Sequence, residues 1–320
     1  MKRTGALREE REANLPTTAV LCGHRVLLAG PKRITAVRRP PVVLIGGTAQ
    51  NLDSWGGHLS FLCRERRVMI LEARGQAGRY REEAGLPQLD LGDCSLAAHA
   101  TDFWRVVASA GEQGLIEPRP GEQPGAAIDV IGFSFGARVA MAAAAGAREH
   151  GPTSAWTIRR LCTTAVTADR GSSGRELLES WRSLLAASDL RGFALKLLLD
   201  THSPGFIARN EKRVAGWVDA VLKANDVRGL RAIVEQTHTE DEADTSHPVS
   251  LAMTIARDRS VERGLLLVGE DDALSPMASS RHLAMLAGWS FSSVAESAHA
   301  CPIEQPVHWR RAVLDFLDND

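Results

Sequence analysis

No charge of either sign predominates in this chain of 320 residues: thirty-eight basic side chains face thirty-nine acidic ones, a net charge of −1. So even a sum gives no electrostatic basis for a nucleic-acid or anionic-membrane partner. Lysine is scarce, confined to Lys2, Lys32, Lys196, Lys212 and Lys223. The arginines that take its place are scattered, which reads as a codon preference and not as phosphate recognition. No run of about 18 apolar residues occurs, so no segment is expected to span a bilayer. Residues 1–16, expected to form a flexible N-terminus, hold Glu9, Glu10 and Glu12 among arginines and fit neither a secretory signal nor a transit peptide. The five cysteines (Cys22, Cys63, Cys94, Cys162 and Cys301) are odd in number and include no C-x-x-C pair. They read as reduced thiols of a cytoplasmic protein. G-x-G-x-x-G, G-x-x-x-x-G-K-[ST] and H-E-x-x-H are all missing, so no cofactor and no metal is expected. There is no repeat of 20–50 residues and no low-complexity linker.

What is present is an alternation of strands with helices. Short apolar runs bounded by turn residues, Val42–Ile45, Arg67–Leu71 and Ile128–Ile131, have the form of strands buried on both faces. Thr17–Cys22, Arg25–Ala29, Arg33–Arg38, Ile158–Val166, Leu265–Val268 and Ser290–Val294 read as further strands. Helical spacing runs through Leu96–Ala110, an Ala-rich stretch after Gly136, Pro276–Ala287 and Pro306–Leu317. The fold class expected is α/β, a mostly parallel sheet flanked by helices.

From Gly171 to Ser246 the alternation stops. One helix face there carries Leu177, Leu178, Trp181, Leu184 and Leu185, followed by helices at Phe193–Leu199, Phe206–Leu222 and Val227–Thr237. Four helices between two strands predict a cap, residues 171–246, inserted into a core of 17–170 and 247–320.

Gly132-Phe133-Ser134-Phe135-Gly136 is a G-x-S-x-G pentapeptide lying between a strand and a helix. That context is the nucleophile elbow, a sharp turn that lifts the serine hydroxyl above the sheet. An ordinary βα loop capped by a serine is the plain alternative. Two further residues follow in the order such a serine requires. Gly269-Glu270-Asp271-Asp272 ends a late strand, and His299 follows the last strand and precedes the final helix. Asp272 is the acid that the spacing from Gly269 favours, with Asp271 and Asp169 as competitors. The cluster His238, Asp241, Glu242, Asp244 and His247 is read as a solvated connector instead of a metal site. Cys301 is read as a small residue in a tight loop, and His24, His58, His99, His150, His202, His282 and His308 as surface or packing residues.

Four stretches in one order resemble the α/β-hydrolase superfamily, and within it the capped hydrolases of the enol-lactonase and cofactor-free haloperoxidase type. Val43–Thr48 with Asp53-Ser54-Trp55 is similar to the family's oxyanion loop, and Glu72–Gly78 to its D-x-R-G-x-G loop. Leu266–Pro276 resembles the acid segment and His299–Pro306 the histidine segment. Gly46, Glu72, Ala137 and Ala298 depart from the usual residues. The resemblance implies Ser134 as nucleophile, His299 as base, Asp272 as its orienting acid, and the amides of Thr48 and Phe135 as oxyanion donors. It further implies hydrolysis of a small or medium carboxylic ester or thioester through an acyl-enzyme. Carbon–carbon cleavage or a lyase reaction on the same residues is the first rival, and a ligand-binding receptor the second. Trp181, Phe193, Phe206 and Trp217 offer apolar faces for a pocket wall.

Overall fold

A computed structural model describes residues 16–31, 37–117, 126–146, 156–238 and 241–319. Eight strands form one sheet: β1 (Thr17–Leu21), β2 (His24–Ala29), β3 (Val42–Ile45), β4 (Val68–Leu71), β5 (Ala126–Phe133), β6 (Trp156–Thr164), β7 (Val261–Gly269) and β8 (Ser290–Val294). All four residues of β3 and of β4 are buried, as their unbroken apolar runs require. The order across the sheet is β1-β2-β4-β3-β5-β6-β7-β8. Pairs β1–β2 and β2–β4 are antiparallel, and every other ladder is parallel. From β3 the chain first steps to β4 on one side and then builds β5 to β8 on the other. The carboxyl ends of β3 and β5 therefore flank the switch point, where open α/β sheets bind ligands.

The helices on the sheet are α1 (Gly56–Leu62), α2 (Gly78–Glu83), α3 (Leu96–Glu112) and α4 (Phe135–Ala145). Six described helices lie between β6 and β7, the first five being α5 (Gly171–Ala186), α6 (Leu190–Thr201), α7 (Pro204–Arg209), α8 (Glu211–Ala224) and α9 (Val227–Gln236). After them follow α10 (Pro248–Asp258), α11 (Met277–Ala287), α12 (Cys301–Glu304) and α13 (Pro306–Asp318). One core packs α3, α4, α10 and α11 on one face of the sheet, through residues such as Phe103, Val139, Leu251 and Leu283. A second packs α1 and α13 on the other, around Trp55, Leu62 and Trp309. The inserted helices have apolar clusters of their own, centred on Trp181, Phe193 and Leu230 and on Ala194 and Val218.

Several details differ from the sequence expectations. The helix expected over Phe206–Leu222 is two helices, because Asn210 (φ −118°, ψ 18°) leaves helical geometry and its side chain donates to the Phe206 carbonyl. Helix α10 was not anticipated; Pro248 sits in its first turn and the His247 side chain caps it. It packs in the sheet's own core, so the inserted helices end before it. The expected strand Arg33–Arg38 falls largely, and residues 1–15 wholly, outside the described residues. No described helix is long and apolar enough to cross a membrane. The five cysteines are free, four of them buried.

Candidate active site

Strand β5 ends at Phe133, and Ser134 turns the chain into α4 with φ 54° and ψ −116°. Such a conformation is costly for a side-chain-bearing residue, and close backbone contacts hold it. A Cβ on Gly132 would stand 2.6 Å from the Gly136 oxygen, and one on Gly136 would stand 2.2 Å from the Ile45 oxygen. Glycine is thus required on both sides of the serine. The Ser134 amide remains in the ladder, donating to Thr164 O at 2.8 Å. The elbow expected from the pentapeptide is present in geometry.

His299 Nε2 lies 2.7 Å from Ser134 Oγ, and His299 Nδ1 lies 2.9 Å from Asp272 Oδ2. The other carboxylate oxygen, Oδ1, accepts from the amides of Leu274 and Ser275 at 2.9 and 2.8 Å. Asp272 and His299 are both buried, so the acid is fixed by its own loop and meets the imidazole away from water. The competitors are placed elsewhere: Asp271 is exposed, and Asp169 pairs with Arg175 at 2.9 Å. Cys301 is fully buried, and burial drives its thiol pKa well above the ordinary value, as fits a packing residue.

The loop after β3 brings Gly47 against the serine, where an added Cβ would lie 3.3 Å from Ser134 Cβ. Gln76, buried, donates from Nε2 to the Gly47 carbonyl at 2.6 Å. A trans peptide sets its C=O and the next N–H on opposite sides, so this anchor turns the Thr48 amide away from Gln76. Phe135 is the first residue of α4, and a helix leaves its first amides without intrahelical acceptors. Thr48, Ser134 and Phe135 line one recess.

The inserted helices are tied to this edge at two points. Asn225, fully buried, accepts from the Ala77 amide at 2.9 Å and donates to Ala49 O at 3.0 Å, joining the two loops that frame Gly47. On the histidine side the Ala300 amide donates to Thr201 O at 2.7 Å. There Glu304 accepts from the Ser203 amide and hydroxyl and from the Ala298 amide. Between these ties lies an apolar cavity of about 230 Å³, whose walls include Ser134, His299, Phe133, Trp181, Leu197 and Trp217. His202, Phe206 and Trp217 stack on one another at its rim, with ring planes 13–20° apart. Of the four aromatic candidates for a wall, Trp181 and Trp217 line the cavity, whereas Phe193 is core.

Gln76, Asn225 and Glu304 received no role in the sequence reading. Gln76 and Glu304 had only their place inside two of the four motifs as a signal and Asn225 had none, and their partners lie up to 176 residues away in the chain. One expectation is corrected. His247 is buried and His238 half-buried against Arg138, so these two do not belong to a solvated connector; Asp241, Glu242 and Asp244 are exposed. Among the described residues no group of three His, Cys, Asp or Glu side chains could hold a metal ion.

The sequence pattern described as "Alpha/beta hydrolase family" matches residues 42–312. The chain belongs to the alpha/beta hydrolase family. No curated protein matches the sequence. Among solved structures, this hydrolase is similar to the enol-lactonase from Burkholderia xenovorans LB400, with 18% identity, a TM-score of 0.71, and coverage of 94% of this chain and 99% of that one. A thermophilic esterase from Thermogutta terrifontis matches at 18% identity and a TM-score of 0.67, over 95% of this chain and 98% of that one. A putative non-heme bromoperoxidase, BpoC, from Mycobacterium tuberculosis H37Rv matches at 17% identity and 0.63, over 93% and 96%. At such identities the likeness is one of fold.

Proposed function

We propose that this hydrolase cleaves a small or medium carboxylic ester or thioester, with Ser134 as nucleophile. The supporting observation is the unbroken line Asp272–His299–Ser134, each link within 3 Å, with the serine held on a strained elbow. In this reading His299 Nε2 takes the hydroxyl proton as Ser134 Oγ attacks the substrate carbonyl carbon. Asp272 holds the imidazole tautomer and stabilises the cation that forms. The Thr48 and Phe135 amides receive the oxyanion, each such donor contributing about 3 kcal/mol to the transition state. His299 then returns the proton to the departing alcohol or thiol. A water activated by the same nitrogen releases the acid from the acyl-enzyme. The apolar cavity beneath Trp181 and Trp217 takes the hydrocarbon part and excludes bulk water.

The test is labelling with a fluorophosphonate, read by peptide mass spectrometry, beside turnover of 4-nitrophenyl esters. Modification of Ser134 alone, lost in Ser134→Ala, is the expected result. Modification elsewhere, or none in folded protein that also turns over no ester, would overturn the assignment.

A further inference from the structure

Ser134 borders a second space besides the apolar cavity. Thr48, Ser134, Trp181 and His299 also line a recess of about 40 Å³ whose walls include Arg138, Arg170 and His238. Those last three side chains line a further cavity of about 240 Å³, where Arg175 and His247 join them. Cationic and imidazole groups thus gather one helical turn from the candidate nucleophile, while its other side is hydrocarbon.

Arg138 is the centre of this cluster. It lies on α4 four residues after Ser134, a rise of about 6 Å, and only 5% of its surface is exposed. Its Nη1 donates to His238 Nδ1 at 3.1 Å. Burial, reinforced by Arg170 and Arg138, holds the His238 pKa far below the ordinary value, so that ring is neutral and can accept. Arg138 Nε and Nη2 have no hydrogen-bond partner among the described residues. The N–H groups on these two atoms form the side-on fork of a guanidinium, the geometry that matches the two oxygens of one carboxylate. A buried charged donor left without an acceptor is costly, and buried polar groups are almost always satisfied. The nearby acidic groups do not supply the acceptor: Asp169 pairs with Arg175, Glu242 is exposed, and Asp244, also exposed, acts on Arg138 through its charge without a hydrogen bond to Nε or Nη2. Burial lowers the Arg138 pKa to about 9, which leaves it charged at neutral pH.

We propose that this recess binds a carboxylate carried by the substrate itself, so that the preferred ester is an anionic one, its carboxylate at Arg138 and its scissile carbonyl at Ser134. The proposal rests on the reading of Ser134 as nucleophile and specifies the substrate class for it. The short rise between the two residues suits a carboxylate three or four bonds from the ester carbonyl, as in hemiesters of succinic or glutaric acid.

Two esters of equal acyl length test it: the 4-nitrophenyl monoester of glutaric acid and 4-nitrophenyl valerate, which has a methyl group in place of the carboxylate. The expected result is a kcat/KM at least tenfold higher for the glutarate monoester, with Arg138→Met lowering that ratio 30- to 100-fold. Arg138→Lys, which keeps the charge and loses the fork, should fall between. A ratio near one in the parent, or one that Arg138→Met does not move, overturns the proposal while leaving ester hydrolysis standing. A purely structural arginine would lower Tm and leave the ratio alone. Calorimetric titration of Ser134→Ala protein with glutarate gives a readout independent of turnover. Binding that weakens at least tenfold when Arg138→Met is added supports the recess even if neither ester reacts; no binding, or binding indifferent to Arg138, overturns it. Failure of both esters together with absent fluorophosphonate labelling would instead count against Ser134.

Discussion

The carboxyl edge of the sheet and the helices inserted above it are held together in different ways. Along the edge Ala49, Ala77, Ser134, Ala165 and Glu296 all have positive φ, whereas among the described non-glycine residues of 171–236 only Ser188 does. Each such residue costs on the order of 1–3 kcal/mol and persists only where its surroundings over-determine it. At the edge those surroundings are buried polar contacts made by Gln76, Asn225, Asp272 and Glu304. The inserted helices have regular backbone and meet one another through apolar clusters. Directional hydrogen bonds fix positions finely, while apolar packing tolerates exchange of side chains of similar volume. The contrast supports a division of labour in which the edge carries chemistry and the helices carry selection. Substitutions in the two regions should therefore fail differently.

The largest effect belongs to the edge. Asp272→Asn should lower kcat about four orders of magnitude by leaving His299 in the wrong tautomer, with the fold intact. Asp271→Asn, at an exposed neighbour, should change it far less. Steady-state rates on one 4-nitrophenyl ester check both, and a reversal would reassign the acid. Next comes Gln76→Leu, which frees the Gly47 carbonyl and with it the direction of the Thr48 amide. Losing an oxyanion donor outright costs 10²–10³ in kcat, and a donor merely loosened should cost about 10–100-fold, with KM little changed. A rise in KM at constant kcat would show that Gln76 shapes the pocket instead.

How far each region was legible in sequence follows from the same physics. Local patterns exposed the sheet, because β3 and β4 are unbroken apolar runs and the serine elbow needs its glycines within two residues. Ser134, Asp272 and His299 could be named because each falls at a strand end that periodicity locates. Long-range ties could not. Nothing near Asn225 points to Ala49 or Ala77, and nothing near Arg138 separates a buried cation from the solvated arginines common in this chain. The inserted helices were visible as a block, but the break at Asn210 was not, since a single asparagine between two apolar faces leaves the periodicity intact.

For the helices, the expected loss is one of discrimination. Trp217 lines the apolar cavity and is stacked on Phe206 with centroids 5.9 Å apart. Trp217→Ala should alter the ranking of acyl-chain lengths roughly ten- to two-hundredfold, the worth of one lost hydrophobic contact. A short acetate ester should lose much less, because it does not reach that wall. Equal losses on acetate and octanoate, in folded protein, would mean that the helices position the reacting groups, and the division of labour would fail.

The smallest expected effect concerns stability at the edge. Glu72 directly follows β4, is 3% exposed, and leaves Oε1 without a hydrogen-bond partner among the described residues. Burial raises its pKa from 4.5 to about 7, against the opposing pull of Arg25 and Arg81. The folded protein then binds the Glu72 proton more tightly than the unfolded chain does. Between about pH 4.5 and 7 the native state holds the extra proton, so stability falls as pH rises through that window and the deficit persists above it. Glu72→Gln removes this dependence. Its unfolding free energy relative to the parent should rise between pH 5 and pH 8, by an amount on the order of 1–2 kcal/mol once relaxation around the buried carboxylate is allowed for, and its Tm relative to the parent should rise with it. Thermal unfolding at the two pH values decides it: a difference that shrinks or stays flat would show the carboxylate ionised and satisfied in the fold. The buried groups of the edge would then carry no electrostatic cost beyond that of their backbone.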